Sequence, residues 1–311
     1  MNKSSGIALI TVLLVVAAAT IASVAISSRL MIDIRRTENL LRSDQAWQHV
    51  LGVESWAKGI LIADSKESET DHLAEDWTGS IEDIPVEGGA VSGQIFDQQG
   101  LFNLNNLLDA KLKPSVLDLE RFTRLLQKLE LDSTLANAVL DWLDRDDKPM
   151  TVGGAEDSTY QSLDTPYSAA NRLMVHTSEL LLVQGFTPEV YNALVPYVSA
   201  LPKRVDININ TAPSEVLQCL FAGLTDQDAD LLINSRESEP FEDIGEFMKH
   251  PALAGLKNIS RIGIGLTSDY FRVQSGAYVG RAKVGISSLL YRDDENEMHI
   301  ILRLREDTFS G

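Results

Sequence analysis

The residues that could do chemistry are concentrated in one stretch, DWLDRDDKPMTVGGAED, positions 141–157. It holds Asp141, Asp144, Asp146, Asp147, Glu156 and Asp157 within 17 residues. Gly153-Gly154 lets the backbone fold back, so carboxylates distant along the chain can converge. Several carboxylate oxygens around one point repel unless a cation neutralises them, and calcium takes such oxygen ligands. The spacing is not that of an EF-hand. Counted from Asp144, the sixth position is Pro149 where glycine is required, and the twelfth is Ala155 where a bidentate Glu belongs. Any cation site here is irregular, and the competing reading is a solvated acidic loop.

Enzymatic chemistry has little support. No G-x-S-x-G, H-E-x-x-H or phosphate-loop pattern occurs. His49, His72, His176, His250 and His299 are scattered without ligand spacing. Cys219 is the single cysteine, so no intrachain disulfide can form. The chain is read as no enzyme.

The 311 residues allow about two domains. A formal net charge of −18 opposes contact with phosphate backbones. One segment still raises nucleic acid as an alternative function. Residues 210–247 have the pattern of a helix-hairpin-helix, a shape that grips DNA phosphates, and with an anchor would make a membrane-bound DNA-uptake protein. Its hairpin, AGLTDQDAD, carries Asp226, Asp228 and Asp230 where a phosphate site needs Lys or Arg, so nucleic acid is not expected as a partner.

The elements that position the acidic loop begin with an apolar run, residues 7–26, with no charge between Lys3 and Arg29. As a helix it spans about 30 Å, enough for a bilayer core. It is too long for a cleaved signal's apolar region. It continues without proline into an amphipathic stretch, so a single helix is expected over residues 7–63. Arg29, Arg35 and Arg36 come directly after the run, so the positive-inside rule does not favour export of the residues beyond it. Residues 65–89 are acidic and read as loop or short helix. Residues 90–96 alternate as a strand, and residues 270–279, 283–292 and 298–305 alternate likewise. Between them lie helical pairs at 119–129 with 133–143, at 178–201, and at 211–238. Thr187-Pro188 and Thr225 are helix-start signals. FNLNNLLD before the first pair echoes ININTAPS before the third.

The junction SG|IALITVLLVV, with Gly6 before the apolar run, resembles a class III prepilin signal. Further along come WAKGILIAD, PVEGGAVSGQIFDQQGLFNLNNLL, DWLDRDDKPMTVGGAEDSTY, ANRLMVHTSELLLVQGF and ININTAPSEVLQCL. In this order, and over nearly the whole chain, they resemble the K-type minor pseudopilins of type II secretion systems. The resemblance implies cleavage after Gly6 by a prepilin peptidase, with Ile7 as an N-methylated mature terminus. Thr11 then stands at the fifth mature position, where most pilins carry Glu to pair with the amino terminus of an earlier subunit. A subunit with Thr there has no predecessor to satisfy, as at a fibre tip.

The resemblance further implies a bacterial inner-membrane single-pass protein with its head in the periplasm. Its expected partners are the I-type and J-type minor pseudopilins and the major G-type subunit. Calcium is implied in the helical domain, assigned to Asp144, Asp146, Glu156 and Asp157. The expected fold is α+β, a long N-terminal helix plus a pilin-like antiparallel sheet with a large inserted α-helical domain. The expected division is 1–6 leader, 7–63 long helix with 7–26 as membrane or fibre-core segment, 64–102 first part of the head, 103–202 inserted domain, and 203–311 hairpin unit and closing strands.

Overall fold

A computed structural model describes residues 4–257 and 259–306. Residues 1–3 of the expected leader, Asn258, and residues 307–311 of the closing segment lie outside the described residues.

Helix α1 runs without a break from Ser4 to Glu67, through Gly6 and past the expected end at residue 63. Its two halves have different surroundings. The large apolar side chains from Ile7 to Leu41 are exposed. From Ala46 onward one face is buried. Ala46, Val50, Val53, Ala57 and Leu61 recur at helical spacing and lie against a five-stranded sheet. Each buried Val or Leu there contributes about 2 kcal/mol. Close approach needs a small residue beneath Val53: a Cβ on Gly93 would sit 2.4 Å from its Cγ1.

The sheet is antiparallel, ordered β1-β2-β7-β8-β9: β1 Ile81–Val86, β2 Gly89–Asp97, β7 Tyr270–Val279, β8 Ala282–Arg292 and β9 Met298–Glu306. The last three match the alternation in the sequence. β1 lies in the stretch read as loop or short helix. That stretch instead makes a 3-10 turn, Asp76–Thr78, and then an edge strand, so the insertion comes after the second strand of the head rather than its first. Trp77 from the turn is buried edge-on against Phe271, centroids 5.5 Å apart.

The chain leaves the sheet after Asp97 and returns at Tyr270, and Gln98 N–H donates to the Tyr270 carbonyl at 2.9 Å. Between them lie α2 Val116–Lys128, α3 Leu135–Leu143, α4 Asp157–Tyr160, α5 Pro188–Leu194, α6 Ser214–Leu220, α7 Asp226–Ser238 and α8 Ile244–Phe247. Ser115 caps α2, Thr187 caps α5 with Pro188 in its first turn, and Thr225 with Asp228 forms a capping box on α7. The region expected to be helical throughout is half irregular. Between α3 and α5 only the four residues of α4 and a 3-10 turn, Thr177–Leu182, are helical. Gly185, at φ +86°, ends the apolar run SELLLVQ before it can extend.

Two short parallel pairs hold the insertion together: β3 Phe102–Asn103 with β4 Val198–Ser199, and β5 Ile207–Asn208 with β6 Ile264–Gly265. The asparagines in the echoing motifs explain the repeat. Asn105 accepts from the Met174 N–H and donates back to its carbonyl, at 2.8 and 2.9 Å. Asn210 does the same with Phe241, at 3.0 and 2.9 Å. One hydrophobic cluster runs from Phe102 to Ile264, so α6 and α7 pack with the inserted domain and not with the sheet.

Candidate functional site

The acidic loop begins at the end of α3. Trp142 and Leu143 are buried by the amphipathic pattern of that helix, which fixes Asp141 and Asp144 at its end. The loop then turns back through Gly153, at φ +73°. Gly154 permits the close approach: a Cβ there would lie 2.4 Å from Asp141 Oδ2 and 2.4 Å from Met150 N. Asp141 Oδ2 accepts the N–H groups of Met150 and Ala155 at 3.0 and 2.9 Å, which ties both ends of the loop to α3.

This closure brings together Asp144, Asp146 and Glu156, each with an oxygen within 4.8 Å of the others. Asp157, the fourth expected ligand, does not join them. Its Oδ1 is taken by the Ala169 N–H at 2.8 Å, so it serves loop structure instead. Asp141 was visible as part of the acidic run but had no assigned role. It is fully buried, and among the described residues its Oδ1 has no partner. Glu156 is 3% exposed, and neither carboxylate oxygen has a hydrogen-bond partner among the described residues.

Burial, and then the neighbouring Asp141, Asp144 and Asp146, push the Glu156 carboxyl up to about 7. Burial, and then Asp146, push Asp144 up to about 6. Asp141 is raised as well, chiefly by burial. Such groups are costly as anions without a counter-charge. Three carboxylates converging on one point, with both oxygens of the buried Glu156 unpartnered among the described residues, suit a hard divalent cation, so this donor set fits calcium.

A second acidic cluster, not singled out in the sequence, joins Asp64 at the end of α1 to Asp71 and Glu75. Here the counter-charge is built in. Arg292 donates to both Asp71 oxygens, at 2.6 and 2.5 Å, and Glu75 Oε2 accepts Trp77 Nε1–H at 2.7 Å.

The hairpin between α6 and α7 turns at Gly223, φ +88°. Beside it Asp226 is exposed, with Lys128 of α2 paired to it, and Asp230 is exposed too. The surface near the turn thus carries exposed carboxylates, one of them paired with a lysine. Thr11 lies in the exposed half of α1, where its hydroxyl donates to the Ile7 and Ala8 carbonyls at 3.2 and 2.9 Å.

The family profile for type II secretion system (T2SS) protein K matches residues 100–203 and 207–266. The chain is 34% identical over 311 residues to type II secretion system protein K of Pseudomonas aeruginosa, covering 96% of this chain and 92% of that one. It is 32% identical to the protein K of Aeromonas hydrophila, covering 97% of each. This chain belongs to the type II secretion system protein K family. A chain in the crystal structure of the GspK-GspI-GspJ complex from enterotoxigenic Escherichia coli has the same fold, with a TM-score of 0.80 at 27% identity over 88% of this chain and 100% of that one. The K-family chain is therefore a minor pseudopilin, a structural component of the secretion system, and its exposed apolar helix is compatible with a single-pass membrane anchor.

Proposed function

We propose that this K-family pseudopilin caps the tip of a periplasmic pseudopilus and helps to start its assembly. The observation that carries the reading is where the insertion is attached. The sheet end near Ala46 and Val50 faces the exposed half of α1, whereas Asp97 and Tyr270, where the insertion leaves and returns, lie at the end beside Leu61 and Phe271. The bulky domain thus sits at the far end of the rod from the apolar segment. Subunits can join along the apolar half, but a subunit stacked above meets the insertion.

On this reading residues 7–26 first occupy the inner membrane, with the head in the periplasm, and later pack among the helices of partner subunits. The I-type and J-type minor pseudopilins are the expected neighbours, by analogy with the complex formed by the similar E. coli chain. The major G-type subunit adds below. A prepilin peptidase cuts after Gly6 and N-methylates Ile7. Thr11 satisfies its hydroxyl within its own helix and so needs no charged partner from an earlier subunit. Calcium is held by Asp144, Asp146 and Glu156, with Asp141 beside them, and closes the loop after α3. The chain catalyses no reaction in this role.

The test has two parts. Co-expression of the full chain with its I-type and J-type candidates should yield a complex, and deletion of the chain should impair secretion and alter fibre length. Secretion and fibres that stay normal after deletion would remove the capping role. Mass spectrometry of the mature protein should find N-methylated Ile7 at its amino terminus.

A further inference from the structure

Where the inserted domain rests on the sheet, the two enclose a cavity of about 280 Å³. It lies on the face of the sheet away from α1. Leu289, Leu302 and Leu304 supply an apolar wall from the sheet, and the segment around β4 supplies the other side. Into this setting β7 places Arg272. Strand alternation turns Phe271 and Val273 toward α1 and Arg272 toward the cavity. Its guanidinium lies over the Phe96 ring, 4.9 Å from the centroid, which fixes the plane of the group.

Among the described residues Arg272 makes no hydrogen bond and no ion pair, and its Nε is buried without a partner. Ser199, on the cavity's other side, is 2% exposed, and its Oγ is also without a partner. His176 lines the same space. Its Nδ1 accepts the Ser178 N–H at 3.2 Å, an assignment that puts the proton on Nε2. Two carboxylates lie near enough to act on Arg272 or His176 through space. Glu179 is paired with Arg172 at 3.3 Å, and Glu306 forms no ion pair among the described residues.

A guanidinium stays charged at all ordinary pH, and a partly buried one without a counter-ion is unfavourable. Of the carboxylates only Glu306 acts on Arg272 through space, and no anion is paired to it directly among the described residues. One cation and the Ser199 hydroxyl, with Gln98, Thr177 and Ser287 beside a leucine wall, suit a single negative charge on a partly apolar body. A phosphate dianion would need more positive charge than this chamber holds. We propose that the cavity binds a small carboxylate with an apolar tail, paired to Arg272 and hydrogen-bonded by Ser199. The ligand is either a free short-chain acid or the carboxyl end of an apolar peptide. Arg272 belongs to the sheet and Ser199 to the insertion, so an occupied cavity clamps one to the other.

The experiment uses the full chain in lipid nanodiscs, with empty nanodiscs as control. Hexanoate and N-acetyl-leucine are titrated calorimetrically, with hexanol and N-acetyl-leucinamide as uncharged counterparts. One-to-one saturable binding is expected for at least one carboxylate and for neither counterpart. Binding of hexanoate alone assigns a free acid, and binding of N-acetyl-leucine alone assigns a peptide terminus. Arg272→Met should weaken binding about tenfold or more. Glu306→Gln, which removes a competing carboxylate while leaving the fold intact, should strengthen it. The proposal is overturned if neither carboxylate saturates, if the uncharged counterparts bind as well, or if Glu306→Gln leaves the affinity unchanged or lower. A water-filled seam would give the first of these results.

Discussion

The two acidic clusters pose one electrostatic problem and solve it differently. At the end of α1, Asp71 is buried, and the chain supplies its counter-charge through Arg292, 221 residues away. After α3, Asp144, Asp146 and Glu156 are brought just as close, and among the described residues no cation pairs with them and both Glu156 oxygens are without partners. The first cluster carries a cation of its own, although burial, Glu75 and Asp71 still push Asp64 up to about 7. The second carries none among the described residues, and the proposed calcium would supply it. On that proposal the two clusters differ in where the positive charge comes from, and not in how many carboxylates gather.

The strongest challenge to that comparison is Arg292→Met. It leaves Asp71 buried and unpaired, at a cost of about 3–5 kcal/mol. A chemical-denaturation midpoint shift of that size is expected with or without calcium. A small shift would mean that the first cluster is not closed by Arg292. Next comes removal of calcium from the second cluster. With free calcium at about 100 times its dissociation constant, chelation should cost about 2.7 kcal/mol, read as a drop in melting temperature.

The pH dependence sharpens this second test. In chelator the folded protein holds the Glu156 proton up to about pH 7, whereas the ordinary glutamate value is 4.5. Between those values the folded state binds more protons, so stability should fall as pH rises through that window and level off above it. With calcium bound, protons compete with the metal, so the slope should reverse. Identical melting profiles with chelator and with calcium would dispose of the site. Glu156→Gln should cancel the calcium-dependent shift and, in chelator above about pH 7 where the carboxylate is charged, raise stability by about 1 kcal/mol by removing a repelling charge. The smallest effect is expected for Asp157→Asn. It keeps an acceptor for the Ala169 N–H, should change stability by less than about 0.5 kcal/mol, and should leave calcium binding intact.

Legibility in the sequence divides along the same line. The closing strands were legible because Phe271, Val273, Ile286 and Leu290 alternate with residues on the other face, and that face pattern sets the register. β1 was not legible. IEDIPV sits on an edge with most of its side chains exposed, so no alternation marks it, and Pro85 is tolerated only because the edge has a free side. The acidic loop was legible as composition. Its membership was not, because convergence depends on the path through Gly153 and Gly154, which sends Asp157 to Ala169 and brings Glu156 to Asp144. Arg292 gave no local signal, since its partner lies across the fold. The apolar run was the easiest feature to read, because 20 successive residues carry no charge.

The insertion begins and ends on adjacent positions of one hairpin, since Asp97 and Phe271 are cross-strand partners. The intervening domain is therefore a passenger on a turn that a few residues could otherwise make. A chain trimmed there keeps all five strands of the sheet. A plain subunit with nothing on its roof can thus be made in one step, and the machinery can be asked whether it mistakes that subunit for an ordinary building block.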